Sequence, residues 1–123
     1  MRTYRSKYHS QKIRTLDGTF DSKREMRRYQ ELRWLEEVGH ISDLRRQVKY
    51  VLVPAQREPD QTGPRGGRIR GKLIEKEVAY YADFVYTRNG KTYVEDVKGV
   101  RTDAYIIKRK LMLWVHGIRI LET

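Results

Sequence analysis

The dipeptide Asn89-Gly90 constrains this chain more than any other feature. It lies between two β-rich runs, KEVAYYADFVYT at 76–87 and KTYVEDVK at 91–98. Asn and Gly tolerate positive φ, so the pair predicts a two-residue hairpin turn. Such a turn sets the register. Arg88 then faces Lys91, and counting outward sets Asp83 opposite Asp96 as a close, non-hydrogen-bonded pair. Regular alternation puts Tyr81, Asp83 and Val85 on one face with Val94, Asp96 and Lys98, and turns Glu95 to the other. Lys98 stands diagonally across from Asp83 at roughly 7–8 Å, within reach of a long side chain.

Around this hairpin the element order reads α-β-β-β-α-β. Ser22 followed by Glu25 has the capping-box spacing and opens a helix from about 23 to 38, with Gly39 as its stop. Met26, Tyr29, Leu32 and Leu35 form its apolar stripe, and Glu25 borders that stripe. QVKYVLV at 47–53 predicts the first strand. Residues 54–75 are expected as a long basic loop, too polar to pack and too long for an ordinary connection. Thr102 or Asp103 can cap a second helix running to about His116, stopped by Gly117, and 118–121 predicts a short last strand parallel to the third. The fold class expected is therefore α/β, a central mixed sheet flanked by helices. Residues 1–19 are expected as a basic arm and 20–123 as one domain.

Two facing carboxylates are unfavourable unless something holds them, and a hard divalent cation does so. Asp83 and Asp96 supply its first ligands. Lys98 adds a cation that can assist a water or stabilise charge on a phosphate, and Glu25 offers a third carboxylate. A solvated, charged sheet face uses the same residue types. Flanking Val78, Ala79, Ala82, Phe84, Val85, Val94 and Val97 favour a central hairpin over a solvated one. The balance of charge names the partner class: 27 Lys and Arg against 16 Asp and Glu give a formal +11, which favours polyanions such as nucleic acid. With no cysteine there is no disulfide framework and no thiolate zinc site. No apolar run approaches membrane-spanning length. His9, His40 and His116 are scattered, which argues against a His-based metal site.

Asp83, then twelve intervening residues, then Asp96-Val97-Lys98, in this element order, resembles the PD-(D/E)XK nuclease superfamily. The segments FDSKREMRRYQEL, YYADFVY, VEDVKG and TDAYIIKRKL resemble a small phage-associated branch similar to Holliday junction resolvases. The resemblance implies a restriction-endonuclease-like core and Mg²⁺- or Mn²⁺-dependent DNA endonuclease activity. It assigns Asp83, Asp96, the Val97 backbone carbonyl and, through water, Glu25 to the metal, and names Lys98 the catalytic lysine. Residue 82 is Ala where the motif has Pro, and the tripeptide acid is Asp rather than Glu. The resemblance also implies a homodimer, a role in DNA recombination on branched DNA and a phage setting in the bacterial cytoplasm.

Arg57, Arg65, Arg68, Arg70 and Lys72 in the loop, with Arg101 and Lys108 near the second helix, are the residues expected to grip the DNA backbone. Gln47 opens the first strand near the metal edge and is expected there as a surface strand residue, with lining the site or contacting DNA as the alternative; Tyr80, Tyr81, Tyr86 and Tyr93 are expected as packing. The rival function is a non-catalytic nucleic-acid-binding module of a phage replication or packaging assembly.

Overall fold

The computed structural model describes residues 12–123. Most of the expected basic arm, 1–11, lies outside them. The remainder of that arm is a small hairpin, β1 (Ile13–Thr15) with β2 (Gly18–Phe20). Phe20 anchors it, 1% exposed against Tyr29. The Arg46 guanidinium lies 3.8 Å above the Phe20 ring and donates to the Thr19 carbonyl at 2.8 Å. An aromatic anchor and a cation stacked on it turn the end of the expected arm into part of the core.

Helix α1 (Lys23–Glu37) starts as its capping residues dictate. Ser22 Oγ accepts from the Glu25 N–H at 3.1 Å, and Glu25 Oε2 accepts from the Asp21 N–H at 3.0 Å. The chain leaves the helix through Gly39 at φ +83°, a left-handed angle that costs glycine little. Strand β3 (Ser42–Val53) begins five residues earlier than its apolar run suggests. Strand β8 (Val78–Arg88), the Asn89-Gly90 turn and β9 (Lys91–Asp96) follow the expected register from Arg88↔Lys91 to Phe84↔Glu95. Helix α2 (Asp103–His116) is capped by Thr102 Oγ1 and ends at Gly117. β10 (Leu121–Glu122) pairs parallel with β9. The central sheet is thus four-stranded and mixed, in the order β10-β9-β8-β3, and packs against both helices.

The segment expected as an unstructured loop is instead a β-ribbon. β4 (Gln56–Arg57) pairs with β7 (Leu73–Glu75), and β5 (Gln61–Thr62) with β6 (Arg68–Ile69). Glu58 N–H donates to Lys72 and Gly63 N–H to Gly67, at 2.9 and 2.7 Å. These pairs continue the β3/β8 register past Val53↔Val78, so 42–88 forms one long interrupted hairpin. Almost no apolar burial supports the ribbon; backbone pairing does. Asp60 joins its strands by accepting from Arg68 and from the Gly71 N–H. A Cβ at Gly71 would sit 1.7 Å from the Glu58 carbonyl oxygen, so only glycine fits there.

Two apolar clusters fill the molecule. Tyr105 and Met112 of α2 pack with Leu52, Tyr80, Ala82, Val85 and Val94. Tyr29 and Leu32 of α1 pack with Phe20, Ile41, Phe84 and Tyr86. Each fully buried Leu, Met or Phe contributes roughly 1.5–3 kcal/mol. The division exposes a departure from regular alternation. On β8, Tyr80 and Ala82 face the α2 cluster while Phe84 and Tyr86 face the α1 cluster. On β3, Val48, Tyr50 and Leu52 face α2, and Leu44 faces α1. Both strands therefore exchange faces at one rung, Gln47 and Asp83. That rung is missing from a ladder that otherwise runs from Arg46↔Phe84 to Val48↔Ala82. The local cause is Gln47, held at φ +50°. A left-handed residue reverses the pleat, so the side chains beyond it change sides.

Candidate functional site

The face-switching rung opens onto a cleft of about 520 Å³ lined by Glu25, Gln47, Tyr81, Asp83, Asp96 and Lys98. Because the rung belongs to neither face, it lets groups from both sides of the sheet share one opening. Tyr81, expected beside Asp83 and Val85, is 53% exposed and lies on the side opposite Tyr80 and Ala82. Val85, Val94 and Asp96 keep the expected common face.

Asp96 is the most constrained member. It is 2% exposed, and its pKa is pushed up to about 7, first by burial and then by the Asp83 carboxylate beside it. The Lys98 ammonium opposes that rise from 3.0 Å. The contact is close without being aligned as a hydrogen bond: Asp96 Oδ2 is buried and makes none among the described residues. The Tyr80 hydroxyl is in the same condition nearby, its pKa raised by burial and by Asp96. Lys98 Nζ also lies 4.1 Å from the centre of the Tyr105 ring, whose π-face holds the ammonium in place.

Asp83 accepts the Val97 N–H at 2.8 Å and the Gln47 side-chain amide at 3.2 Å. Gln47 reaches Glu25 Oε1 as well, at 3.3 Å, so its amide bridges the two carboxylates. Glu25 is 3% exposed, and its pKa is raised by burial and then by Asp83. Its oxygens are committed to the helix cap, to Gln47 and, at 3.7 Å, to Arg46. The structure therefore brings Asp83, Asp96 and Lys98 together and sets Glu25 one amide away. No group of three carboxylate or imidazole side chains converges as a ready metal cage among the described residues.

The backbone of Val97 is placed by β10. Thr123 N–H donates to the Asp96 carbonyl, and Lys98 N–H to the Thr123 carbonyl, which is the parallel bridge pattern centred on Val97. Val97's own N–H and C=O thus point away from β10, toward Asp83. Glu95, on the opposite face as expected, is fully buried and taken up by Arg28, at 2.8 and 2.9 Å, and by the Tyr86 hydroxyl. The Tyr86 pKa rises to about 12 through burial and this carboxylate.

The expected DNA-contact residues fall into two groups. Arg57, Arg65, Arg68, Arg70 and Lys72 all lie exposed on the ribbon, where Arg57 also donates to the Gly71 carbonyl and Arg68 pairs with Asp60. Arg101 is engaged by Glu122 at 2.8 Å, and Lys108 is half-buried on α2. One cleft residue escapes sequence reasoning and another does so in part. Gln47 lines the cleft, the alternative to a surface strand residue, but nothing in its local sequence marks a left-handed residue. Arg24, whose guanidinium donates to the Lys98 carbonyl at 3.0 Å, is separated from it by 74 positions in the chain.

A family model described as "protein of unknown function (DUF1064)" matches residues 5–116. The chain belongs to the DUF1064 family. No curated protein and no solved structure matches it. Among the described residues of this DUF1064 member, no helix is long and apolar enough to cross a membrane.

Proposed function

We propose that this DUF1064 protein is a divalent-metal-dependent DNA endonuclease of the PD-(D/E)XK type. The observation that carries the reading is Asp96: a buried carboxylate with an unbonded oxygen, beside a second carboxylate and 3.0 Å from Lys98, at an open cleft. A buried carboxylate pressed against a second one lacks positive charge, and Mg²⁺ or Mn²⁺ would supply it.

Asp83, Asp96 and the cleft-facing Val97 carbonyl would hold the ion, with Glu25 acting through water from behind Gln47. Bound there, the ion would supply Lewis-acid polarisation of the scissile phosphate. Lys98, steadied by Asp96 and the Tyr105 ring, stabilises negative charge on the phosphoryl oxygens or orients the attacking water. The ribbon grips backbone phosphates, an interaction that carries no base readout, so a weakly sequence-selective enzyme acting on branched DNA is the preferred form.

One assay tests this. Supercoiled plasmid, single strands and a four-way junction are incubated with the pure protein in Mg²⁺, Mn²⁺ or EDTA. Cleavage is expected only with metal, and should fall at least about a hundredfold in Asp83→Ala and in Lys98→Ala. The incomplete ligand cage favours a second reading, a non-catalytic nucleic-acid-binding module. Metal-independent binding without cleavage would establish that reading and sink the first.

A further inference from the structure

Three further cavities lie along α1, outside the cleft, and two of them run on from it. One, of about 370 Å³, is lined by Arg24, Arg27, Arg28, Val97 and Thr123 among others. The next, of about 580 Å³, is lined by Arg27, Arg28, Glu31 and Trp34 among others. The first shares Arg24 and Val97 with the cleft, and the second shares Arg27, Arg28 and Glu31 with the first. These two and the cleft form a row. Arg24, Arg27, Glu31 and Trp34 recur at helical spacing on one side of α1, so the row extends roughly 15 Å from the cleft.

Its charge is positive where it matters. Arg28 is shared between Glu95 and Glu31, so it offsets one of the two acids, and with Arg24 and Arg27 the face keeps a net positive charge. Arg27 has no ion-pair partner among the described residues, and the Arg24 guanidinium bonds only the Lys98 carbonyl among them. The Thr123 hydroxyl on the wall of the first cavity is buried and makes no hydrogen bond among the described residues. Two uncompensated guanidiniums beside an unsatisfied hydroxyl suit a phosphate, which accepts from both kinds of donor. Trp34 at the far end is 60% exposed, an aromatic plane that packs nothing on its outer side.

We infer that this face of α1 is a track for a single nucleic-acid strand, seating a phosphate between Arg24, Arg27 and Thr123 and stacking an unpaired base on Trp34. The inference deepens the nuclease reading and rests on it for why the track starts at the cleft. A base can reach Trp34 only if it is unpaired, so the preferred substrate carries a single-stranded or frayed segment beside the cut.

The chain has two tryptophans, and Trp114 is 87% exposed, so Trp114→Phe leaves Trp34 as sole reporter without disturbing the core. That variant is titrated in EDTA, where no cleavage competes, with a 5′-phosphorylated oligothymidylate, with a blunt duplex and with polyglutamate. Quenching of Trp34 by the single strand is expected, with weaker response to duplex. Arg27→Ala or Trp34→Ala should loosen binding about tenfold by anisotropy, and Arg27→Ala should flatten the salt slope by about 0.7. A strand that binds while Trp34 stays unquenched overturns the inference, as does unchanged affinity in both variants. Quenching by polyglutamate as strong as by the oligonucleotide assigns the face to an acidic protein instead. Because none of these titrations reads cleavage, an inactive protein that still quenches refutes only the nuclease reading.

Discussion

Asp96 is ionised at a cost in the metal-free protein, and that cost depends on pH. Its folded pKa, about 7, lies above the ordinary carboxylate value, so the folded state keeps its proton after the unfolded chain has lost it. Stability is therefore lost as pH rises from about 4 to about 7, and the loss is complete above that window. Asp96→Asn removes the titration. In EDTA it should melt close to the parent protein at pH 5 and be more stable at pH 8, by on the order of 1–3 kcal/mol. A pH-independent difference would show that burial of this group is not what raises its pKa. Gln47 makes a different kind of demand, because its backbone is left-handed in mid-strand. Glycine accepts that angle and valine does not, so Gln47→Gly should keep the fold while Gln47→Val loses roughly 1–2 kcal/mol or more in denaturant titration. Both variants lack the amide that joins Glu25 to Asp83.

At the scale of elements, the ribbon is independent of the core. Its residues between Ala55 and Glu77 are exposed apart from Gly63 and Gly71. Replacing 55–76 by an Asn-Gly turn should therefore shift the melting temperature by only a few degrees, while DNA affinity falls and its salt slope shrinks by about 0.9 for each phosphate the shortened protein no longer neutralises. An unchanged slope would remove the ribbon from the DNA interface. The elements also divide into those legible from the sequence and those not. The β8–β9 register is legible because a two-residue turn leaves one pairing, and both helices because Ser22, Gly39, Thr102 and Gly117 punctuate them. That hairpin carries Asp83, Asp96 and Lys98, so the heart of the site can be read with it. The ribbon is not legible, since backbone pairing without apolar alternation leaves no periodicity to read. Nor is the face switch at Gln47 and Asp83, where a non-glycine residue adopts a glycine-like angle.

For the whole molecule, +11 and the cleft carboxylates act in opposite senses. A surface of that sign attracts polyanions, and on the proposed function an unneutralised cleft would repel the DNA phosphates at the last step. A divalent ion should thus tighten DNA binding and stabilise the fold together, by linkage of about 2.7 kcal/mol at a hundredfold excess over Kd. A Mg²⁺- or Mn²⁺-dependent rise in melting temperature that vanishes in Asp83→Ala is the expected outcome of a thermal scan. An identical rise in that variant would place the ion elsewhere. The interrupted hairpin that carries β3/β8 on into the ribbon has a consequence for how this molecule can vary. Reach is adjustable by matched insertions, one residue in each strand, each adding about 3.4 Å without disturbing the sheet. An odd insertion in one strand alone would leave a residue without a cross-strand partner and bulge the ladder. Natural length variants of the ribbon should accordingly differ by even numbers of residues, making it a ruler graduated in pairs.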